Sequence, residues 1–326
     1  MRRRDFIKAI VGTATAWPLG ARAQQQAVPV IGLLASWARN DSPQLLAAFH
    51  QGLQEGGFVE GQNVTIEYRL ADNQNERLPE LAAALIQRQV AVIAAAATPA
   101  ALAAKAATTT IPVVFEIGGD PIHLGLVASL NRPGGNITGV TNFNTLVAPK
   151  RLELLHEILP AVRVVALLVN PANPSVETQS SDVLPAARNL GLEVHILKAS
   201  TERDFDAVFA KVIELHAGGL VISADPLFTA KEEQLAALAV RRAVPTIYEN
   251  RKFVSAGGLV SYGGSQAETY RVTGNYVARI LKGEKPGDLP VQQGTKVEMF
   301  LNLKSAKALG ITFPLTLLGR ADAVIE

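Results

Sequence analysis

The sequence predicts an α/β fold of two doubly wound parallel-sheet lobes joined by a three-stranded hinge. Three observations carry this expectation. Short β-branched or apolar runs alternate with amphipathic helical stretches along the chain, the pattern of βαβ units with helices on both faces of a sheet. The strand runs are apolar throughout, as they are when both sheet faces are covered. A chain of 326 residues with 48% hydrophobic content suits two medium cores better than one large one.

The first strand is expected over Val28–Ala35. A helix follows with Ser42 as N-cap and Pro43 in its first turn, ending near Gly56-Gly57. Strand 63–70, helix 76–89, strand 91–97, helix 99–107 and strand 111–115 complete a first sheet. After the loop signal Arg132-Pro133-Gly134-Gly135 comes a strand from Ile137 to Asn142. A second series of strands runs 162–169, 192–197, 220–223 and 245–248. The stretch from Gly257 to Tyr262 and a helix over 266–281 are too short to build a third domain, so they must join an existing sheet. The chain is expected to return there to the first lobe and to cross again near 296–302. The expected division is 28–140 with 257–295 in an N-terminal lobe, and 141–256 with 296–326 in a C-terminal lobe. Three crossings form a hinge that opens and closes around a cleft.

Residues 1–23 read as a cleavable export leader: Met1-Arg2-Arg3-Arg4-Asp5-Phe6-Ile7-Lys8, an apolar run from Ala9 to Leu19, then Ala21-Arg22-Ala23 as a small-x-small cleavage site. The paired arginines ahead of Phe6-Ile7-Lys8 have the form of a twin-arginine signal, with ordinary general export as the alternative. The apolar run is well short of the roughly 20 residues a spanning helix needs. The chain carries 31 basic and 29 acidic residues, net +2. Cleavage removes Arg2, Arg3, Arg4, Lys8 and Arg22 together with Asp5, which leaves 26 basic and 28 acidic residues and a net charge of −2. The basic excess thus belongs to the leader, and nucleic acid is not an expected partner. The absence of cysteine excludes disulfides, thiolate metal sites, a cysteine nucleophile and a lipidated cysteine at the cleavage point. The expected mature protein is a free, untethered monomer in a Gram-negative periplasm.

In open parallel sheets, ligands bind beyond the carboxyl ends of the strands. That rule singles out Ser36-Trp37, Thr98-Pro99, Asp120-Pro121, Asn170-Pro171 and Asp225-Pro226, with Asn142 at the end of its own strand. Four of the pairs place a capping-type residue before proline, which starts a helix whether or not a ligand is near. Their convergence at one sheet edge would aim several N–H groups and positive dipole ends at an anionic group. Asp225 and Glu116 could then face a cation, although Glu116 reads equally well as an exposed loop residue. Trp37, Tyr248 and Tyr262 stand at strand ends, where an aromatic face can wall an apolar pocket. Plain packing is the alternative, and it is favoured for Tyr248.

Catalytic patterns are weak by comparison. His50, His123, His156, His195 and His216 show no paired metal-ligand spacing. There is no phosphate-loop motif, and Leu34-Ala35-Ser36-Trp37 lacks the glycines that bring a backbone close to a pyrophosphate. Gly263-Gly264-Ser265-Gln266-Ala267 has alanine where a nucleophile elbow needs its last glycine. No cofactor, metal or catalysis is expected.

Several segments carry a resemblance in combination: Ile31-Gly32-Leu33-Leu34, Gly57-Phe58-Val59-Glu60-Gly61-Gln62-Asn63, Thr110-Ile111-Pro112-Val113-Val114-Phe115, Gly119-Asp120-Pro121, Lys150-Arg151-Leu152-Glu153-Leu154-Leu155, Gly257-Gly258-Leu259-Val260-Ser261-Tyr262-Gly263 and the C-terminal Arg320 to Glu326. Over essentially the whole mature chain they resemble the ABC-transporter substrate-binding family that includes tryptophan-binding proteins. The resemblance implies a type I periplasmic-binding-protein fold, no catalysis, permease subunits as membrane partners, and a small solute held between the lobes. It implies an amino acid, aromatic by preference, with its carboxylate near Thr98 and its amino group near an acidic residue such as Asp225. The stretch Ala94-Ala95-Ala96-Ala97-Thr98-Pro99 departs from the family pattern by lacking the glycine before this helix. The competing readings are an exported enzyme on the same doubly wound fold and a subunit that presents its ligand to a membrane sensor. A two-lobed regulator would need a DNA-binding module where the leader stands.

Overall fold

The computed structural model describes residues 28–294 and 296–326, so the expected leader lies outside the described residues. From the N-terminus, β1 (Val30–Ala35), α1 (Pro43–Glu55), β2 (Thr65–Leu70), α2 (Leu78–Gln87), β3 (Val92–Ala96), α3 (Thr98–Ala107), β4 (Val113–Ile117) and β5 (Ile137–Thr141) build a first lobe. The chain then crosses to α4 (Ala148–Ile158), β6 (Val164–Val169), α5 (Val176–Asn189), β7 (Glu193–Lys198), α6 (Phe205–Glu214), β8 (Gly219–Ile222), α7 (Pro226–Ala230), α8 (Glu232–Arg241), β9 (Thr246–Tyr248), α9 (Arg251–Ser255) and β10 (Val260–Gly264). It returns with α10 (Gln266–Leu281) and β11 (Gln292–Gln293). A third crossing leads to β12 (Val297–Asn302), α11 (Leu303–Ala308), α12 (Leu315–Leu318) and β13 (Ala323–Ile325).

The first sheet has the order β11-β5-β4-β3-β1-β2, and the second β13-β12-β10-β9-β8-β6-β7. In each, the order reverses once, two strands from one edge, between β1 and β3 in the first and between β6 and β8 in the second. At such a switch point neighbouring loops leave in opposite directions and open a crevice at the strand ends. Helices cover both faces: α1 and α10 pack on one side of the first sheet and α2 and α3 on the other, with separate cores on the two faces of the second.

Local chemistry accounts for the element ends. Proline stands in the first turn of α1, α2, α3, α4 and α7, where its missing N–H costs nothing and its fixed φ suits the helix. Gly57, at φ +86, ends α1 by letting the Phe58 N–H return to the Leu53 carbonyl.

The structure corrects four sequence expectations. The segment ending in β10 does not join the first sheet. Val260 and Ser261 pair in parallel with Ile247 and Tyr248 of β9, and β12 closes the other edge of β10, so the return to the first lobe begins only at α10. The β10–β12 pairing is antiparallel, so the second sheet is mixed. Strand β4 runs two residues further than expected, which puts Glu116 inside a buried strand rather than in an exposed loop. Strand β7 is an edge strand with Glu193, Ile196 and Lys198 exposed, not an apolar run covered on both faces.

Helix α10 is held to the first lobe by backbone proximity to α1. A methyl group on Gly52 would collide with the Arg271 carbonyl, and one on Gly274 with the Phe49 carbonyl. Gly274→Ala is therefore expected to destabilise the protein by roughly 1–3 kcal/mol, measured as a lower urea midpoint with an unchanged slope. A neutral substitution would mean the two helices are not in this contact.

Candidate functional site

The carboxyl ends of both sheets face one cleft of about 580 Å³, counted out to its open mouth. From the first lobe it is lined by Trp37 after β1, Ala97 and Thr98 after β3, and Glu116 and Gly118 around the end of β4. From the second come Asn173 and Ser175 after β6 and Asp225 after β8, with Glu249 after β9. The crossing segments add Asn142, Asn144 and Thr145, and the start of α10 adds Gln266 and Tyr270. The ends of β1 and β3, and of β6 and β8, are the two switch points, so the topology itself brings these residues together.

Three buried carboxylates dominate the polar lining. Glu116 Oε1 accepts hydrogen bonds from Asn142 Nδ2 at 2.8 Å and Thr269 Oγ1 at 2.8 Å. Asp225 caps α7 by accepting from the Leu227 N–H at 2.9 Å, and it also accepts from Asn170 Nδ2 at 3.2 Å and Asn173 Nδ2 at 2.7 Å. Glu249 Oε1 accepts longer bonds from Thr229 Oγ1, Gln266 Nε2 and Tyr248 OH. Its other oxygen lies 3.6 Å from Arg151 Nη2 and makes no hydrogen bond. Burial raises Glu116 to about 7, against its hydrogen bonds from Thr269 and Asn142. Burial likewise raises Asp225 to about 6 and Glu249 to about 7, the latter despite the nearby guanidinium.

Arg151, itself buried, is committed to the scaffold. Its Nε donates to the Tyr262 carbonyl at 3.0 Å and its Nη2 to the Asn144 carbonyl. Asn144 Oδ1 accepts from the Gly264 N–H at 2.6 Å, which fixes the amide so that Nδ2 is left without a partner. Trp37 Nε1 donates to Tyr270 OH at 3.1 Å, joining the β1 end to α10 across one wall of the cleft.

Ala97 holds φ +76 and ψ 156, a conformation almost confined to glycine. Its N–H donates to the Glu116 carbonyl and its carbonyl accepts from the Ala101 N–H, so the backbone is pinned on both sides. The missing glycine noticed in the sequence is therefore a strained alanine whose residue lines the cleft at the head of α3.

Of the residues singled out by sequence, Trp37, Thr98, Glu116, Asn142, Asp225 and Pro226 line the cleft. The others stand outside its lining. Ser36 is fully buried behind Trp37, and its carbonyl accepts from the Asn73 N–H. Pro99 is buried within the first turn of α3. Asp120 closes a local turn through the Ile122 and His123 N–H groups. Asn170 sits behind Asp225 and orients it. Tyr262 lies in β10, where its ring packs against the second-lobe core. Glu249 was legible by the same strand-end rule, one residue past β9. Asn173 lies in the loop after β6, beyond the residues the strand-end rule reads; Asn144, Gln266 and Tyr270 needed the crossing geometry and carried no local signal. Among the described residues, no group of three or more His, Asp or Glu side chains is placed to hold a metal ion, and no helix is long and apolar enough to cross a membrane.

Two α/β lobes joined by three crossings, with a cleft holding buried carboxylates at their switch points, define the class of bilobal binding proteins with the type I periplasmic fold. Residues 41–325 match the ABC transporter substrate binding protein family, and the chain belongs to it. A tyrosine-binding protein from Clostridioides difficile is 26% identical over 261 residues, 80% of this chain and 75% of that protein. The structure of an ABC domain in complex with L-Trp from Streptococcus pneumoniae superposes with a TM-score of 0.82 at 26% identity, covering 91% of this chain and 99% of that one. A ligand-free, open substrate-binding protein from Clostridium difficile, with the same coverages and 24% identity, superposes at 0.64.

Two outcomes follow from the buried groups. Each of the three cleft carboxylates has a folded-state pKa above its unfolded value of about 4, so folding takes up protons between roughly pH 4 and 7. Unliganded protein is expected to lose stability as the pH rises from 5 to about 8, levelling off only above the highest folded-state carboxyl pKa, and Glu116→Gln should flatten part of that fall; urea midpoints along the pH series measure both. Ala97→Gly is expected to raise stability by up to about 1 kcal/mol, because relief of strain of about 1–3 kcal/mol outweighs the added backbone freedom of glycine, about 0.5–1 kcal/mol. A lower thermal midpoint for that variant would contradict the strained geometry.

Proposed function

We propose that the protein is the exported, periplasmic, monomeric solute receptor of an ABC uptake transporter, that it is not an enzyme, and that its solute is an amino acid, aromatic by preference. The observation that carries this reading is the pairing, in one interlobe cleft, of the buried carboxylates Asp225 and Glu116, which have no cationic partner among the described residues, with an aromatic wall of Trp37 and Tyr270. An ammonium group satisfies the carboxylates, Asp225 and Glu116 being the proposed acceptors, through charge-assisted hydrogen bonds. The ligand carboxylate is assigned to the N-terminus of α3, at Thr98. The ligand side chain lies against Trp37 and Tyr270. Tyrosine and tryptophan binding by the two relatives supports an aromatic ligand. The better superposition on the tryptophan-bound structure than on the open one supports reading the described lobe arrangement as the closed state. Closure around the solute then creates the surface that docks on the permease.

A thermal-shift screen of protein unfolded and refolded to strip carried-over solute tests this. Ligand at about 100 times its Kd adds roughly 2.7 kcal/mol, a rise of several degrees for a protein of this size. The expected hits are aromatic amino acids, with sugars and nucleosides silent, and Asp225→Asn or Glu116→Gln is expected to weaken the hit by tenfold or more. Stabilisation by sugars alone would overturn the reading.

A further inference from the structure

Behind Glu249 lies a second cavity of about 1090 Å³, counted out to its open mouth. Leu45, Thr229, Glu249 and Gln266 line it and the cleft alike, so the partition between them is one side chain thick. Gln266, half-buried in the first turn of α10, donates to Glu249 Oε1 at 3.3 Å within that partition.

The second cavity is lined by a buried carboxylate with one oxygen left unpaired. Glu232, the first residue of α8, has a side chain only 2% exposed. Its Oε2 is buried and makes no hydrogen bond within the protein. The cations near it are engaged elsewhere. Lys252 Nζ is 4.0 Å from Glu232 Oε1 but 3.0 Å from Glu233, and the Arg251 guanidinium stacks over the Phe300 ring at 5.1 Å. A carboxylate in a helix first turn favours the helix dipole from an exposed position as well, so the helix does not explain its burial. Glu249, whose Oε2 makes no hydrogen bond but lies 3.6 Å from Arg151 Nη2, stands in the partition. Burial, opposed by Lys252 and by a side-chain hydrogen bond from Asn250 and reinforced by Glu249, raises Glu232 to about 8.

We propose that Glu232, with Glu249, forms a second cation-accepting subsite at the far end of the cleft, and that the ligands include amino acids carrying a distal ammonium group. This rests on the reading that the cleft takes an amino acid. Two acceptor oxygens and no third protein ligand suit an ammonium, which donates three hydrogen bonds, better than a metal ion.

Calorimetric titration of the purified protein with L-phenylalanine, para-ethyl-L-phenylalanine and para-aminomethyl-L-phenylalanine tests it. The last two match in size and differ in the distal charge. The wild type is expected to prefer the aminomethyl compound over the ethyl compound by about tenfold or more. Glu232→Gln is expected to abolish that preference while leaving phenylalanine affinity unchanged, and Glu233→Gln, on the exposed neighbour, to retain it. Equal binding of the matched pair by the wild type, which needs no variant, overturns the subsite and leaves the amino-acid reading standing. A preference that survives in Glu232→Gln overturns it as well. Failure of all three compounds to bind the wild type overturns both readings.

Discussion

The backbone contact between two of the three interlobe crossings is the constraint on which the rest depends. A Cβ on Gly264 would overlap the Asn142 carbonyl, and one on Gly263 would run into the Glu249 carbonyl. The first crossing, after β5, and the second, after β10, therefore touch main chain to main chain. Asn144 Oδ1 bonds the Gly264 N–H, and Arg151 bonds one carbonyl of the first crossing, at Asn144, and one of β10, at Tyr262. A buried guanidinium with two carbonyl acceptors and a carboxylate at 3.6 Å ties these segments together. Its position, and not the lobes alone, determines where Glu249, Asn142 and Asn144 meet the cleft.

That arrangement leaves the cleft polar and incompletely satisfied. Asn144 Nδ2, Ser175 Oγ and Glu249 Oε2 are buried, line the cleft and have no partner within the protein. Buried polar groups in folded proteins are usually paired, and unpaired ones gather where something else completes them. A donor, a hydroxyl and a carboxylate oxygen ask for a ligand bearing both acceptors and donors, which a zwitterion supplies. Ser175 of the second lobe also comes close to Gly119 of the first, so the lobes meet at the rim as well as at the hinge. The energetic cost of the unpaired groups is borne by a scaffold whose four cores are apolar and well covered.

Ala97 shows how the scaffold holds a strained point at the site. Parallel pairing of β3 with β1 and β4 fixes the strand that enters it, and α3 fixes the exit. The backbone takes the conformation that this geometry demands, and alanine occupies it at the cost of strain.

The sequence by itself determined the alternation of strands and helices, hence the class of fold, because periodicity and turn chemistry are local. It also placed Trp37, Thr98 and Asp225, since residues just past a parallel strand face the crevice wherever the strand lies. The sheet to which β10 belongs was decided only by the tertiary structure. Its short apolar run fits either sheet, and pairing with β9 and β12 chose the second. The same holds for Glu116, whose burial depends on where β4 ends, and for Arg151, Asn144, Gln266 and Tyr270, which lie far apart in the chain and converge through the crossings. A strand-end rule reads one element at a time, whereas a buried ion pair or an unpaired amide exists only once two distant segments have been brought into contact.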